Sequence, residues 1–300
     1  METASKEKEM GNQEVSEIQP KVAGTRRGVV EYAEYGEGPA VVTLHGAMGG
    51  CDQSLMLAQT IGDDSGYRYI GVSRPGYLGT PISSGRSAED QADLCAALLD
   101  ELGIETAAVM AVSGGGPCAL NFALRHGDRC RGLVLVSTCG ARIDTPIPFA
   151  FKMMSVLVRI PRFAKSIERN AAASRDRSVM RCIEDREIRE RTLADPEAGP
   201  LLMDLIASTS HRMAERMPGT LNDIATTRAN CYPIEKIDAP TIIVHGTADK
   251  MVPYEVHAKA LSLIPNAELL TVEGGEHVSI FTHRSMVKPR VVEFLRTHAG

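Results

Sequence analysis

The run Met110-Ala111-Val112-Ser113-Gly114-Gly115-Gly116-Pro117 closes an apolar stretch and opens a helical pattern, and it holds a serine among very small residues. A serine at a sharp strand-to-helix turn is lifted clear of a sheet, where its hydroxyl can attack a carbonyl carbon. Such a turn brings strand and helix close together, so the residues two before and two after the serine must be small. Here they are Ala111 and Gly115. Ala111 departs from the usual G-x-S-x-G pattern by one methyl group. The rival reading is a phosphate-cradling loop, but the run has neither the G-K-[ST] ending of a P-loop nor the G-x-G-x-x-G spacing of a dinucleotide fingerprint.

A serine hydroxyl is a weak nucleophile at neutral pH. It needs a histidine to take its proton and a carboxylate to fix that histidine's tautomer. The apolar run Thr241 to Val244 is followed by His245-Gly246-Thr247-Ala248-Asp249-Lys250, and the run Glu268 to Val272 by Glu273-Gly274-Gly275-Glu276-His277. Asp249 and His277 therefore follow predicted strand ends, as Ser113 does. Glu276 is an alternative carboxylate, disfavoured because neighbours on a short loop rarely face each other. Asp144, beyond the run ending at Ser137, is a second alternative. His126, His211, His257, His283 and His298 fall on predicted helices or on the surface and are read as structural, while His245 shapes the acid loop. No Cys/His/carboxylate spacing suggests a metal site, and none is expected.

Attack on a carbonyl also requires backbone N–H groups aimed at the developing oxyanion. One would come from Gly114, directly after the serine. The second should follow an early strand, and the run Ala40 to Leu44 leads into His45-Gly46-Ala47-Met48-Gly49-Gly50. Ala47 is the expected second donor, with Met48 as its neighbour and a candidate substrate-binding wall. Met153, Met154, Met203, Met213 and Met217 are further candidates for an adaptable apolar pocket, or for sealing helices onto the core.

The elements that must hold these residues are legible as well. Short apolar runs at Ala40–Leu44, Tyr69–Ser73, Ala107–Val112, Leu133–Ser137, Thr241–Val244 and Glu268–Val272 alternate with helical patterns. Ser87 to Leu102 reads as a helix capped by Ser87, and Gly115 to Leu124 as another. Near-continuous apolar strands between helices indicate an α/β fold whose parallel sheet is covered on both faces. The rhythm breaks between Ala141 and Tyr232, where only helical patterns occur. Within that stretch Arg181 to Arg191 reads as a solvated helix face, with Arg181, Asp185 and Arg189 at ion-pair spacing and Arg186–Glu190 and Glu187–Arg191 beside them. Residues 1–24 are polar, lack periodicity and read as a disordered tail; a strand or hairpin is expected over Arg26 to Tyr35.

The 300 residues carry a formal charge of −5, which argues against a nucleic-acid partner. No apolar run is long enough for an integral membrane segment, and the polar N-terminus lacks a signal-peptide core. A cytoplasmic setting is expected. The seven cysteines are scattered without a C-x-x-C pair and read as reduced packing residues. With no tryptophan, a binding pocket must rely on aliphatic side chains, methionine and the few rings available from seven tyrosines and six phenylalanines.

From about residue 26 to residue 298 the chain resembles the α/β-hydrolase fold superfamily. His45-Gly46-Ala47 is similar to its H-G-x oxyanion loop and Ser73-Arg74-Pro75-Gly76-Tyr77 to its S/D-R-P-G-x segment. The S-G-G-G-P elbow, the G-T-x-D acid loop and Gly275-Glu276-His277 are similar too. The resemblance implies a mostly parallel sheet of about eight strands with helices on both faces. It divides the chain into a tail (1–24), a first core segment (25–140), a helical cap (141–232) and a second core segment (233–300). It implies Ser113, Asp249 and His277 as catalytic residues, Ala47 and Gly114 as the oxyanion hole, and no cofactor. The expected activity is hydrolysis of a carboxylic ester or related acyl bond in a small apolar substrate, through an acyl-enzyme on Ser113. The same triad also serves C–C bond hydrolases and cofactor-free perhydrolases or haloperoxidases. A reading of another class is a signalling receptor that keeps the fold and uses the pocket for ligand recognition.

Overall fold

The computed structural model describes residues 19–62, 66–143, 149–229 and 231–300. One sheet of eight strands organises them, in the order β1-β2-β4-β3-β5-β6-β7-β8. The strands are β1 (Lys21–Thr25), β2 (Gly28–Tyr35), β3 (Ala40–Leu44), β4 (Arg68–Val72), β5 (Ala107–Val112), β6 (Cys130–Val136), β7 (Thr241–Gly246) and β8 (Ala267–Val272). β2 runs antiparallel to both its neighbours, and β4, β3, β5, β6, β7 and β8 run parallel.

The central strands are apolar throughout because both of their faces are covered. Val42, Leu44, Val109, Leu133 and Ile243 pack on one side with residues of α2 (Ala88–Glu101) and α3 (Gly116–Arg125), among them Leu98, Leu99 and Phe122. Val41, Ala108, Met110, Val134 and Val244 face the other side, against Leu55 of α1 (Cys51–Gln59) and Val291 and Leu295 of α12 (Arg284–His298). Successive side chains of a strand point to opposite faces, so two apolar layers require unbroken apolar runs. α2 begins where its sequence predicts. The Ser87 hydroxyl accepts from the Asp90 N–H at 3.1 Å, and the Asp90 carboxylate accepts from the Ser87 N–H in return.

The expected tail is shorter than the sequence suggests. Residues 1–18 lie outside the described part, but Lys21 to Thr25 form an edge strand paired with β2 from Lys21↔Tyr32 to Thr25↔Gly28. Its hold is the backbone ladder, the Lys21–Glu34 ion pair at 2.9 Å and the packing of Ala23 on the core, while Val22 stays in solvent. Such a strand needs no apolar alternation, so none was there to be read.

Between β6 and β7 the described elements are α4 (Phe149–Leu157), α5 (Pro161–Ala173), α6 (Arg175–Cys182), α7 (Arg186–Ala194), α8 (Ala198–Ser210) and α9 (Met213–Arg228). The expected continuous helix face over Arg181 to Arg191 is broken. α6 stops at Cys182, Ile183 turns fully inward, and the Asp185 carboxylate caps α7 by accepting from the Ile188 N–H at 2.9 Å. Asp185 therefore serves a helix N-terminus rather than Arg181 or Arg189. Arg189 donates instead to the Ile183 and Glu184 carbonyls, and of the expected pairs Arg186–Glu190 is made, at 2.7 Å. After β7 come α10 (Tyr254–Leu261) and the short α11 (Ser279–Thr282), before α12.

Among the described residues no helix is long and apolar enough to cross a membrane, and no cluster of His, Cys, Asp and Glu has the arrangement of a metal site. None of the seven cysteines, all of them among the described residues, is in a disulfide. Burial pushes the thiols of Cys51, Cys130 and Cys139 up to about 12, which makes them packing groups rather than nucleophiles.

Candidate active site

Parallel strands deliver the loops that follow them to one edge of the sheet. β3 leads to His45–Gly50, β5 to Ser113, β7 to Asp249 and β8 to His277. Ser113 stands at the start of a 3-10 turn (Ser113–Gly115) that runs straight into α3, with φ at +51°. That left-handed backbone is costly for a residue with a side chain and persists where the surroundings enforce it. Three glycines allow the turn. A Cβ on Gly46 would sit 3.0 Å from the Ser113 Cβ, and one on Gly115 would lie 2.7 Å from the Leu44 carbonyl oxygen. A Cβ on Gly116 would overlap the Thr138 methyl. Ala111 is fully buried between its neighbours Leu44 of β3 and Leu135 of β6, so its extra methyl is accommodated within the sheet.

Asp249 and His277 are brought together: His277 Nδ1 lies 2.8 Å from Asp249 Oδ2. The other carboxylate oxygen accepts from the Met251 and Val252 N–H groups, both at 2.9 Å, so the carboxylate is fixed in orientation. Burial works against its charge, but His277 and the Val252 N–H outweigh it and hold the Asp249 pKa below the usual carboxylate value. The two loops are locked to each other. The Ala248 N–H donates to the Gly275 carbonyl at 3.0 Å, and a Cβ on Gly246 would strike that same carbonyl. His245 belongs to β7 itself rather than to the loop after it. Its Nε2–H donates to the Val252 carbonyl at 2.8 Å, which ties strand to loop. Burial lowers the His245 pKa, so the ring is neutral.

Glu276 points elsewhere. Its Oε1 accepts from the Glu184 and Asp185 N–H groups at 2.8 and 3.4 Å, so it anchors the α6–α7 connection. Asp144 lies outside the described residues.

On the opposite side of the site, Ala47 is exposed and its nitrogen lies 3.5 Å from where a Cβ of Gly114 would be. The Gly114 N–H is in the first turn of its helix, where N–H groups have no internal partner. Met48, with φ at +60°, gives its N–H to the Thr220 hydroxyl at 3.0 Å, and that hydroxyl also touches the Met48 sulfur at 3.3 Å. The Met48 carbonyl accepts from Gln53 Nε2. Of the five methionines considered for the pocket, Met217 is buried and Met153 is largely in solvent.

Sequence reasoning missed the residues of α9 that touch this loop. Besides Thr220 they include Arg216, whose Nη1 lies 3.5 Å from the Met48 carbonyl and whose guanidinium reaches both oxygens of Asp52 at 3.1 and 2.6 Å; Asp223 acts at one remove, through Arg74. Their spacing along the helix is i, i+4, i+7, a single stripe. In the sequence the stripe is polar and so resembles a solvated face, although Arg216, Thr220 and Asp223 are all buried.

The α/β-hydrolase fold family model matches residues 39–284 of this chain. The chain is similar to the structure of an α/β-hydrolase fold protein from Nakamurella multipartita, at 32% identity and a TM-score of 0.76, covering 93% of this chain and 99% of that one. It is 26% identical to a 2-hydroxy-6-oxononadienedioate/2-hydroxy-6-oxononatrienedioate hydrolase of Burkholderia vietnamiensis, over 89% of this chain and 91% of that protein. It is also 26% identical to the non-heme chloroperoxidase CPO-A1 of Kitasatospora aureofaciens, over 85% of this chain and 91% of that protein. With the eight-stranded sheet, the left-handed serine turn and the matched span, the chain belongs to the α/β-hydrolase fold family.

Proposed function

We propose that this protein is a serine hydrolase in which Ser113 attacks a substrate carbonyl carbon. The observation that carries the reading is the Asp249–His277 hydrogen bond at the sheet edge to which β5 delivers Ser113 on its strained turn. His277 takes the Ser113 proton as the C–O bond forms, and Asp249 holds the imidazole with Nε2 free to do so. The N–H groups of Ala47 and Gly114 receive the negative oxygen of the tetrahedral intermediate. Collapse of that intermediate expels the leaving group, which His277 protonates. Water, deprotonated by His277, then attacks the acyl-Ser113 carbonyl and releases the acid, restoring the serine. A carboxylic ester in a small apolar substrate is the simplest donor for this sequence.

A second reading is favoured by the relatives. A 2-hydroxy-6-oxononadienedioate has no ester, so its hydrolysis must break a carbon–carbon bond beside the ketone. The same groups can carry that reaction if the expelled carbon is stabilised by a conjugated carbonyl and accepts a proton. The chloroperoxidase relative fits a variation in which the acyl-enzyme meets hydrogen peroxide instead of water, giving a peracid.

The test is a panel of p-nitrophenyl acyl esters, thioesters, lactones and a conjugated 6-oxo-dienoate, assayed with wild type and with Ser113→Ala. Ester turnover lost by about a thousandfold or more in Ser113→Ala is expected. Turnover confined to the 6-oxo-dienoate would assign the second reading. Turnover that survives in Ser113→Ala would refute both.

A further inference from the structure

We propose that Asp223, on α9, is a positioning residue for the oxyanion-binding amide: acting through Arg74, it fixes the orientation of the Gly46–Ala47 peptide. The helical insertion would thereby complete the site it adjoins. This rests on the serine-hydrolase reading above and assigns one of its amide donors a specific support.

The Gly46 carbonyl accepts from two groups, His45 Nδ1 at 2.6 Å and Arg74 Nη2 at 3.2 Å. In a trans peptide the N–H points opposite to the C=O. Holding the carbonyl on His45 and Arg74 therefore fixes the direction of the Ala47 N–H, whose nitrogen lies 3.5 Å from where a Cβ of Gly114 would be. Were this peptide turned over, the site would lose a donor and gain a carbonyl oxygen facing the oxyanion.

Both holding groups depend on Arg74. Its main-chain N–H donates to His45 Nε2 at 3.0 Å, which makes Nδ1 the protonated nitrogen and sets the tautomer. Burial and the neighbouring Arg74 charge keep that ring neutral. The Arg74 side chain also donates from Nε to the His45 carbonyl at 3.0 Å. What fixes the guanidinium is Asp223, in a two-point contact of 2.7 and 2.5 Å, with Gln91 a more distant acceptor at 3.3 Å. Tyr77 donates its hydroxyl to the same carboxylate at 2.6 Å. Arg74 and Asp223 are both buried, so water does not substitute for either. The two residues are 149 positions apart in the chain.

The decisive experiment compares wild type with Asp223→Asn, using p-nitrophenyl butyrate and two inhibitors. One is a trifluoromethyl alkyl ketone, whose adduct with Ser113 carries an oxyanion. The other is the matching methyl ketone, which binds without forming that adduct. In Asp223→Asn, kcat and trifluoromethyl ketone affinity should both fall by about 10- to 100-fold, with KM and methyl ketone affinity held within about twofold. A folded Asp223→Asn that keeps kcat and trifluoromethyl ketone affinity overturns the proposal, as does an equal loss for both ketones, which would mean a damaged pocket. Should Asp223→Asn fail to fold, Tyr77→Phe decides. It removes one hydrogen bond to Asp223 and should lower kcat and trifluoromethyl ketone affinity by about 3- to 10-fold; no change in either overturns the proposal. A wild type that neither turns over the ester nor binds the trifluoromethyl ketone refutes the underlying serine reading instead.

Discussion

The helical insertion meets the core along two seams of opposite character. Around the His45–Gly50 loop the contacts are buried or partly so: Arg74 with Asp223 is buried, Arg216 is buried against a partly exposed Asp52, and the Thr220 hydroxyl accepts from the half-buried Met48 N–H. At the acid and histidine loops they are exposed. Lys250 reaches Glu184 at 2.6 Å with side chains 73% and 58% exposed, and Glu276 holds the Glu184 and Asp185 N–H groups. The difference is one of what each loop needs. Asp249 and His277 are already fixed by each other, by the Met251 and Val252 amides and by the interlocked glycines, so the insertion adds little there. The His45–Gly50 loop is held within the core by His45 Nδ1 and Arg74 on the Gly46 carbonyl and by Gln53 on the Met48 carbonyl, and it takes further support from α9 through Thr220 and Asp223.

Breaking the buried seam should cost most. Arg74→Met leaves the Asp223 carboxylate buried without its partner, and a loss of about 3–5 kcal/mol in urea unfolding is expected. A loss below about 1 kcal/mol would mean that water or Gln91 replaces the pair. Acid offers a second test, of buried histidines that lie on both sides of the site. The pKa values of His45, His245 and His257 are each lowered from 6.5, in every case chiefly by burial. The unfolded chain therefore binds protons that the folded chain does not. The stability that these neutral rings contribute is complete above pH 6.5 and is lost as the pH falls below it, by up to about 1.4 kcal/mol per unit for each ring. Melting midpoints should drop between about pH 7.5 and pH 5; a flat profile would contradict the buried, neutral assignment.

The exposed seam should yield less. Glu276→Ala removes the acceptor of two N–H groups and should cost about 1 kcal/mol, with kcat changed by less than about threefold. A loss of kcat approaching that of Asp249→Ala would make Glu276 the working carboxylate. Lys250→Ala should leave both the melting midpoint and turnover unresolved from wild type, and a clear fall in either would erase the contrast between the seams.

The pairing of Asp249 with His277 at the sheet edge that carries Ser113 could be read because all three lie in or just after the loops that follow apolar strand runs, which stand out in a sequence even where, as in β8, the strand is only half-buried. Ala47 and Gly114 followed from the same logic, since amide donors must sit beside the nucleophile and after a neighbouring strand. Asp223 left no such trace. Its partner is distant in the chain, and a carboxylate on a helix looks the same whether water or a buried guanidinium faces it. The inward turn of Ile183 was hidden likewise, because charged residues at helical spacing on either side outweighed one apolar position. β1 escaped because an edge strand held by backbone hydrogen bonds leaves its side chains free to be polar.

The proposed chemistry depends above all on activation of the Ser113 hydroxyl by His277. The most direct measurement is the rate of covalent labelling by a fluorophosphonate probe, with the modified residue located by peptide mass spectrometry. Wild type should be labelled at Ser113, Ser113→Ala not at all, and folded His277→Ala about a hundredfold or more slower than wild type. An unlabelled Ser113 in folded wild type, or labelling of His277→Ala at the wild-type rate, would contradict the claim.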